Sequence, residues 1–507
     1  MNSLSKWTMG LVLLSGAAYG QVPSTNDGSD TSNNTGLGTS ALGGPAASNP
    51  GTGNTAVGVY TLHANAAGGN YNTAIGSGTL QNNTTGSGNT GLGNDVLYYN
   101  VTGNNNTATG YNALDNSGTS GNTADGAFAL YNNLSGSNNT AVGWQSMMGA
   151  LNAGGSNNTA IGVSALYSNS TGFDNTASGY QALYYNTTGA YNTAAGYQAL
   201  QNNATAYFNA AFGSYALQAN TSGGANTAVG NSALKANQTG ANNTATGSNA
   251  LFMNDSENTG ASGNTADGAG AMNNNITGND NTAVGWQALQ GTTDGASGSN
   301  NTAVGVNALF AYSTGSNNIA VGYAAGLNVA TGSDNIDIGN AGAAGDNKVI
   351  RIGTASTQKK IFIAGISDVS VTGSAVYVAS NGQLGVVVSS ERFKTAIASM
   401  GANTAKLQQL RPVTFKLKSD ATGTRQYGLI AEEVAKVYPE LVIRDAQGRI
   451  DGVRYDELAP MLLNEVQRQQ ETAKAQAAEI RGLKDQLAGI RAALLKVQSN
   501  DQLVAQR

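Results

Sequence analysis

Ser389 and Lys394 stand five residues apart in the stretch Ser389-Ser-Glu-Arg-Phe-Lys394. A serine hydroxyl becomes a nucleophile when a neighbouring base takes its proton, and a neutral lysine amine can be that base. Burial lowers an amine's pKa, so the pair needs a desolvated setting. Serine and lysine fall this close in most proteins, so the weight comes from location. A long array of glycine- and asparagine-rich repeats ends just upstream, and an unlike, charged sequence begins at the pair. The position suggests a chain that cuts itself there. His63 is the only histidine and there is no cysteine. That excludes Ser-His catalysis at the tail and any multi-histidine or thiolate metal site, and no cofactor is expected.

The array must deliver the pair to the end of a regular body. Asn175-Thr-Ala-Ser-Gly-Tyr-Gln-Ala-Leu-Tyr-Tyr-Asn-Thr-Thr-Gly-Ala-Tyr191 is one unit, and the next begin at Asn192, Asn209, Asn226 and Asn243. The period is 17 residues, and the consensus is N-T-A-x-G-x-x-A-L-x-x-N-x-T-G-x-x. Looser copies reach from Asn54 to Asn335. So short a period cannot hold two helices and a turn, and it fits one coil of a parallel β-solenoid or β-roll. N-T-A-x-G reads as a short strand closed by glycine, A-L as the start of a second strand, and N-x-T-G as a turn. Stacked coils place Ala177 over Ala194, Leu183 over Leu200 and Asn175 over Asn192 as an amide ladder. The position after the alanine varies, and Asp125 and Asp267 occupy it in two coils. They read as outward-facing substitutions, or else as the acid pair of a glycosidase. Tyr111, Trp144, Tyr180, Tyr197, Trp286 and Tyr323 follow the glycine, and such a row either stacks sugars or forms a structural aromatic ladder.

Composition bounds the rest. The chain has 507 residues, 69 glycines, 10% charged residues and a net charge of −5. Low charge with this much glycine would suit disorder, but strict repetition argues for a folded array. Lys235 is the only basic residue between positions 51 and 340, so no nucleic-acid partner is expected. Lys6, the apolar run Trp7 to Ala18, and Ala18-Tyr19-Gly20 before Gln21 predict a secretory leader over residues 1–20. That run is too short to span a bilayer, and no membrane anchor is encoded elsewhere. The protein is expected to be secreted or at the cell surface.

Residues 21–50 read as a low-complexity segment, 51–340 as the solenoid and 341–388 as a β neck. The neck contains Val349–Ile352, Lys360–Ile363 and a turn at Asn381-Gly382. Charge density rises after Ser389, and Ala398–Leu410 and Ala431–Val437 look helical. From Tyr455 a last helix carries Leu462, Val466, Gln469, Ala473, Gln476, Ile480, Leu483, Leu487, Ile490, Leu494 and Val497 at alternating steps of four and three. That is a heptad seam, which reads as a self-associating coiled coil over residues 457–507. The fold class is therefore mainly β. A solenoid leads to a small α+β domain over residues 389–456 and then to a coiled-coil helix.

Several motifs of the tail occur together in order. They are the Ser389–Lys394 stretch, Leu410-Arg-Pro-Val-Thr-Phe415, Gly428-Leu-Ile-Ala-Glu-Glu-Val434, Tyr438-Pro-Glu-Leu-Val442 and Tyr455 to Leu462. This segment resembles the intramolecular chaperone domain that ends phage endosialidase tail spikes and many bacterial surface fibres. Ser390 stands where that family usually has aspartate. The array is similar in architecture to the heads of trimeric autotransporter adhesins (YadA-like), whose repeat is shorter. The resemblance implies a homotrimer and a single-turnover self-cleaving peptidase. In it Ser389 is the nucleophile, Lys394 the base, Arg392 an orienting or oxyanion residue, and Val388-Ser389 the bond cut.

The expectation is a trimeric, adhesin-like fibre whose tail drives assembly and then releases itself. The host surface or glycan it meets is not identified. The alternatives are a phage tail fibre with the same tail, a polysaccharide-degrading enzyme on the same chaperone, and a tail that assembles trimers without cutting.

Overall fold

The computed structural model describes residues 28–29, 31–43, 51–149, 154–355, 357–358, 360–363, 375–379, 382–445 and 447–504. The predicted leader, residues 1–20, and Asn381 of the predicted turn lie outside them. The chain divides between Ile361 and Phe362 into two compact units.

The first unit is a parallel β-solenoid with one three-residue strand per coil. The ladder runs in register from Thr35–Leu37 to Ile350–Ile352. Thr176 pairs with Thr193 and Ala177 with Ala194, as the repeat length requires. Register is kept where a coil is longer: Thr244 pairs with Thr265, and the extra residues enter a turn. The N-T-A-x-G element therefore sets the stacking. The ladder also reaches past both limits read from the repeats. Ile350–Ile352, taken as the start of the neck, pairs with Ile336–Ile338. Lys360–Ile363 forms no strand among its described residues, and the neck hairpin consists of Tyr377–Val378 with Leu384–Gly385.

The A-L segment is not a second strand. Gln181 and Leu183 have φ of 53° and 52°, and the same left-handed pair recurs around the array. Left-handed backbone costs a side-chain-bearing residue roughly 1–2 kcal/mol. Here the turn places the leucine side chain inside each coil while its N–H still bonds the next coil, as from Leu183 N to Ala199 O at 3.0 Å. Gly179 combines φ of +136° with an approach to Gly196 O that leaves 2.4 Å for a Cβ, so no other residue fits.

Asn175, Ala177, Ala182, Leu183 and Asn186 fill the interior of a coil, all fully buried or nearly so. The asparagine ladder is fully bonded. Asn192 Nδ2 donates to Asn175 Oδ1 at 3.1 Å and to Ala206 O at 2.8 Å. Its Oδ1 accepts from Asn209 N at 3.0 Å and from Asn209 Nδ2 at 3.2 Å. A second ladder at the turn asparagine links Asn169, Asn186, Asn203 and Asn220. Asn192→Ala orphans the buried Asn209 N–H and removes three further bonds. It is expected to cost about 3 kcal/mol, because an unpaired buried polar group loses its full solvation. Thermal unfolding of the array measures this.

The last coil closes the solenoid with charge. Asp337 takes the interior position that Ala320 holds in the coil before it, and it is 2% exposed. Arg351 follows at the same position and grips Asp346 with two bonds of 2.6 and 2.7 Å. Burial, then the neighbouring Asp346, push the Asp337 carboxyl up to about 6, against a smaller opposing effect of Arg351. A carboxyl raised in the fold binds its proton more tightly there than in the unfolded chain. Stability from this group is therefore present below about pH 4 and is lost as pH rises through about 6. The end coil is expected to melt later at pH 5 than at pH 7. Asp337→Asn should raise the melting temperature at pH 7 and flatten that dependence.

The second unit has a small core of Leu407, Val434, Tyr438, Leu441, Val442, Val453 and Leu458. Two hairpins, Val413–Phe415 with Gln426–Gly428 and Val442–Arg444 with Ile450–Val453, flank helix α1 (Ala431–Val437). Helix α2 runs from Tyr455 to Val504. Ala398–Leu410 is not the expected helix. It holds two 3-10 turns, Gly401–Thr404 and Leu407–Gln409, because Gly401 at φ +48° interrupts it and only Thr404 and Leu407 are buried.

Candidate functional site

A single 3-10 turn, Glu391–Phe393, brings the two candidate residues together. Phe393 N bonds Ser390 O at 3.0 Å and Lys394 N bonds Glu391 O at 2.9 Å. The chain thereby doubles back, and Lys394 Nζ lies 3.0 Å from Ser389 Oγ. A charged amine donates along that line. A neutral one at the same distance can accept the hydroxyl proton. Val388, Ser389 and Lys394 are all exposed, so among the described residues none supplies the burial that a lysine base needs. The Arg392 guanidinium lies 4.6 Å from the centroid of the Phe393 ring.

The remaining motifs build the support. Tyr438 is buried and donates its hydroxyl to Asn403 O at 3.0 Å while accepting from Lys406 N at 3.1 Å. It thus ties α1 to the turns that follow the site. Tyr455 Oη accepts from Leu429 N at 2.7 Å. Gly428 makes room for that hydroxyl, since a Cβ there would meet it at 2.6 Å. Glu433 pairs with Arg411, and the guanidinium holds its carboxyl below the usual range. This role had no signal in sequence, because the partners are far apart in the chain. Pro412, Thr414, Tyr427, Leu429, Tyr455 and Leu458 line an open groove of about 400 Å³. Along α2 the heptad residues Leu462, Val466, Ile480, Leu483, Leu487, Ile490, Leu494 and Val497 are all exposed.

Residues 389–443 match the family model of the chaperone of endosialidase. The match begins at the candidate serine and covers the hairpin, α1 and the Tyr438–Val442 run. No curated protein and no solved structure gave a significant match to the chain. The protein therefore joins a β-solenoid to a chaperone-of-endosialidase domain, a pairing that fits a fibre or tail fibre.

Other candidates fall away from this domain. Asp125 and Asp267 both face outward, eight coil steps apart. At about 4.8 Å per step they are roughly 38 Å from one another, far beyond the spacing of a glycosidase pair. His63 sits edge-on to Tyr60 in a turn. Tyr180 and Tyr197 stack 5.2 Å apart and 10° from parallel, so each gives one ring face to its neighbour in a ladder while both side chains stay partly exposed. Among the described residues no group of acidic or histidine side chains could hold a metal ion, and no helix is long and apolar enough to cross a membrane.

Proposed function

We propose that the chain is an exported, homotrimeric, adhesin-like fibre whose chaperone domain sets the three chains in register and then cuts itself away. The approach of Lys394 Nζ to Ser389 Oγ at 3.0 Å, at the first residue of the chaperone match, carries this reading. Ser389 Oγ attacks the carbonyl carbon of Val388 while Lys394 takes the hydroxyl proton. The C–N bond breaks, the proton passes to the departing nitrogen, and Val388 is left as an ester on Ser389 Oγ. Water then hydrolyses the ester, giving a Val388 carboxylate and a free Ser389 amine. Arg392, whose guanidinium lies against the Phe393 ring, would orient the site or meet the oxyanion.

Trimerisation and chemistry belong together in this reading. A 50-residue helix with an exposed apolar seam and an open groove lined by motif residues are surfaces that a second and third copy would cover. The same covering would desolvate Lys394 and favour its neutral form. Cutting would thus follow assembly. Light scattering of a variant that cannot cut should give three chain masses, and dilution below the association range should slow cutting of the parent. A monomer that cuts at an unchanged rate would contradict the reading. Export rests on residues 1–20. Protein recovered outside the native host should begin at Gln21, and one that begins at Met1 would refute export.

A further inference from the structure

Two stretches of the array repeat each other over several coils. The variable strand position runs Thr109, Asp125, Val142, Ile161 in one and Thr246, Asp267, Val284, Val304 in the other. One coil after each aspartate comes a tryptophan, Trp144 or Trp286, and each tryptophan coil carries glycine in its turn, Gly149 or Gly291. Both indoles are 52% exposed.

The copies differ beside the indole. In the first, Phe128 packs edge-on against Tyr111 and Tyr131, at 5.3 and 5.6 Å. In the second, the equivalent residues are Gly270, Ser248 and Asn273. The aromatic filling is gone, and an open notch of about 290 Å³ remains, lined by Ser248, Asn249, Gly270, Asn273, Trp286 and Gln290. Ala269 and Val306 flank Trp286 in its row, so the indole is not stacked into a ladder as Tyr180 and Tyr197 are.

Gln290 Oε1 is buried there with no hydrogen-bond partner. At the same position five coils earlier, Gln201 Oε1 accepts from Gln218 Nε2 at 3.1 Å. The notch thus presents an aromatic face, several amides, a hydroxyl and an acceptor without a donor. None of its lining residues is ionisable. We propose that the notch binds a neutral sugar unit, a hexose or N-acetylhexosamine. The C–H face of the pyranose would lie on Trp286, and its hydroxyls would meet the amides and the orphan oxygen. An anionic sugar finds no cation there. This goes beyond the fibre reading and holds whether or not the tail is cut.

Full-length protein with Trp144→Phe keeps Trp286 as the only indole of the array. Its emission is titrated with cellotriose, maltotriose, β-1,4-galactobiose and N,N′-diacetylchitobiose. At least one should give a saturable change. Gly270→Phe refills the notch and should weaken that binding by at least about tenfold. The fold tolerates the change, because Phe128 holds the equivalent position at φ 60° against 66° for Gly270, and the nearest contact of a new Cβ is 3.4 Å away. No saturable change with any of these sugars, or undiminished binding after Gly270→Phe, would overturn the proposal. So would an assembly that falls apart on Gly270→Phe, since the notch would then be occupied by a second copy of the chain.

Discussion

Ser389→Ala is expected to leave every chain whole while the protein still assembles as a trimer. The substitution removes the attacking oxygen and nothing else, because the serine is exposed and its one described side-chain bond is to Lys394. Lys394→Ala should have the same consequence through loss of the base. In the proposed trimer, assembly would rest on the α2 seam and the groove near Tyr455, which neither change touches. The uncut proteins should differ from the parent in how they come apart. Once the tail has left, three separated chains have no template with which to realign, so unfolding becomes effectively irreversible and stability becomes a matter of rate. While the tail is attached, the fibre should dissociate and reassemble, and it should dissociate more readily on heating. Denaturing electrophoresis of heated samples measures both. Full-rate cutting by the Ser389→Ala protein would remove the proposed nucleophile.

Removal of residues 389–507 before synthesis should be far more damaging than removal by cutting afterwards. Along the array each coil offers the next nearly the same surface. The asparagine ladder through Asn175, Asn192 and Asn209 and the core residues Ala177 and Leu183 recur in coil after coil. A pairing slipped by one coil keeps nearly all of these contacts, so the array barely distinguishes correct from slipped alignment. Parallel pairing over long stretches is also slow, which prolongs exposure of unpaired ends. A chain ending at Val388 is therefore expected to form polydisperse assemblies instead of a single trimer. Addition of the separate tail should not rescue it, because the template acts within its own chain. Size-exclusion chromatography with light scattering distinguishes these outcomes, and a homogeneous trimer from the truncated chain would contradict the template role.

The regular part of the fold was open to a reading of residues because its contacts are between like residues at a fixed spacing. Asn175 over Asn192 follows from the period alone. The turns were not open in the same way. Leucine carries no signal for the left-handed backbone that Leu183 adopts, which depends on bonding to Ala199 in the next coil. Gly189 closes the N-x-T-G turn without a positive φ. It is needed for space, since a Cβ there would meet Asn186 Oδ1 at 2.4 Å and Ala206 O at 2.5 Å. Ile350–Ile352 was assigned to the neck, yet the ladder accepts it through a coil of only 14 residues, from Ile336 to Ile350. At the candidate site the Ser389–Lys394 spacing was readable, being what one 3-10 turn can close. Arg411 with Glu433 was not, because that pair depends on how the hairpin meets α1.

The intact mass of the purified parent protein, taken once it is trimeric, tests the central claim most directly. The account predicts two species: an array fragment ending at Val388 and a tail whose first residue is Ser389, neither present in the Ser389→Ala protein. A single uncut mass from a stable trimer would contradict it, and the tail would then be a trimerisation domain without the peptidase chemistry, with Ser390 in the aspartate position as the first residue to restore.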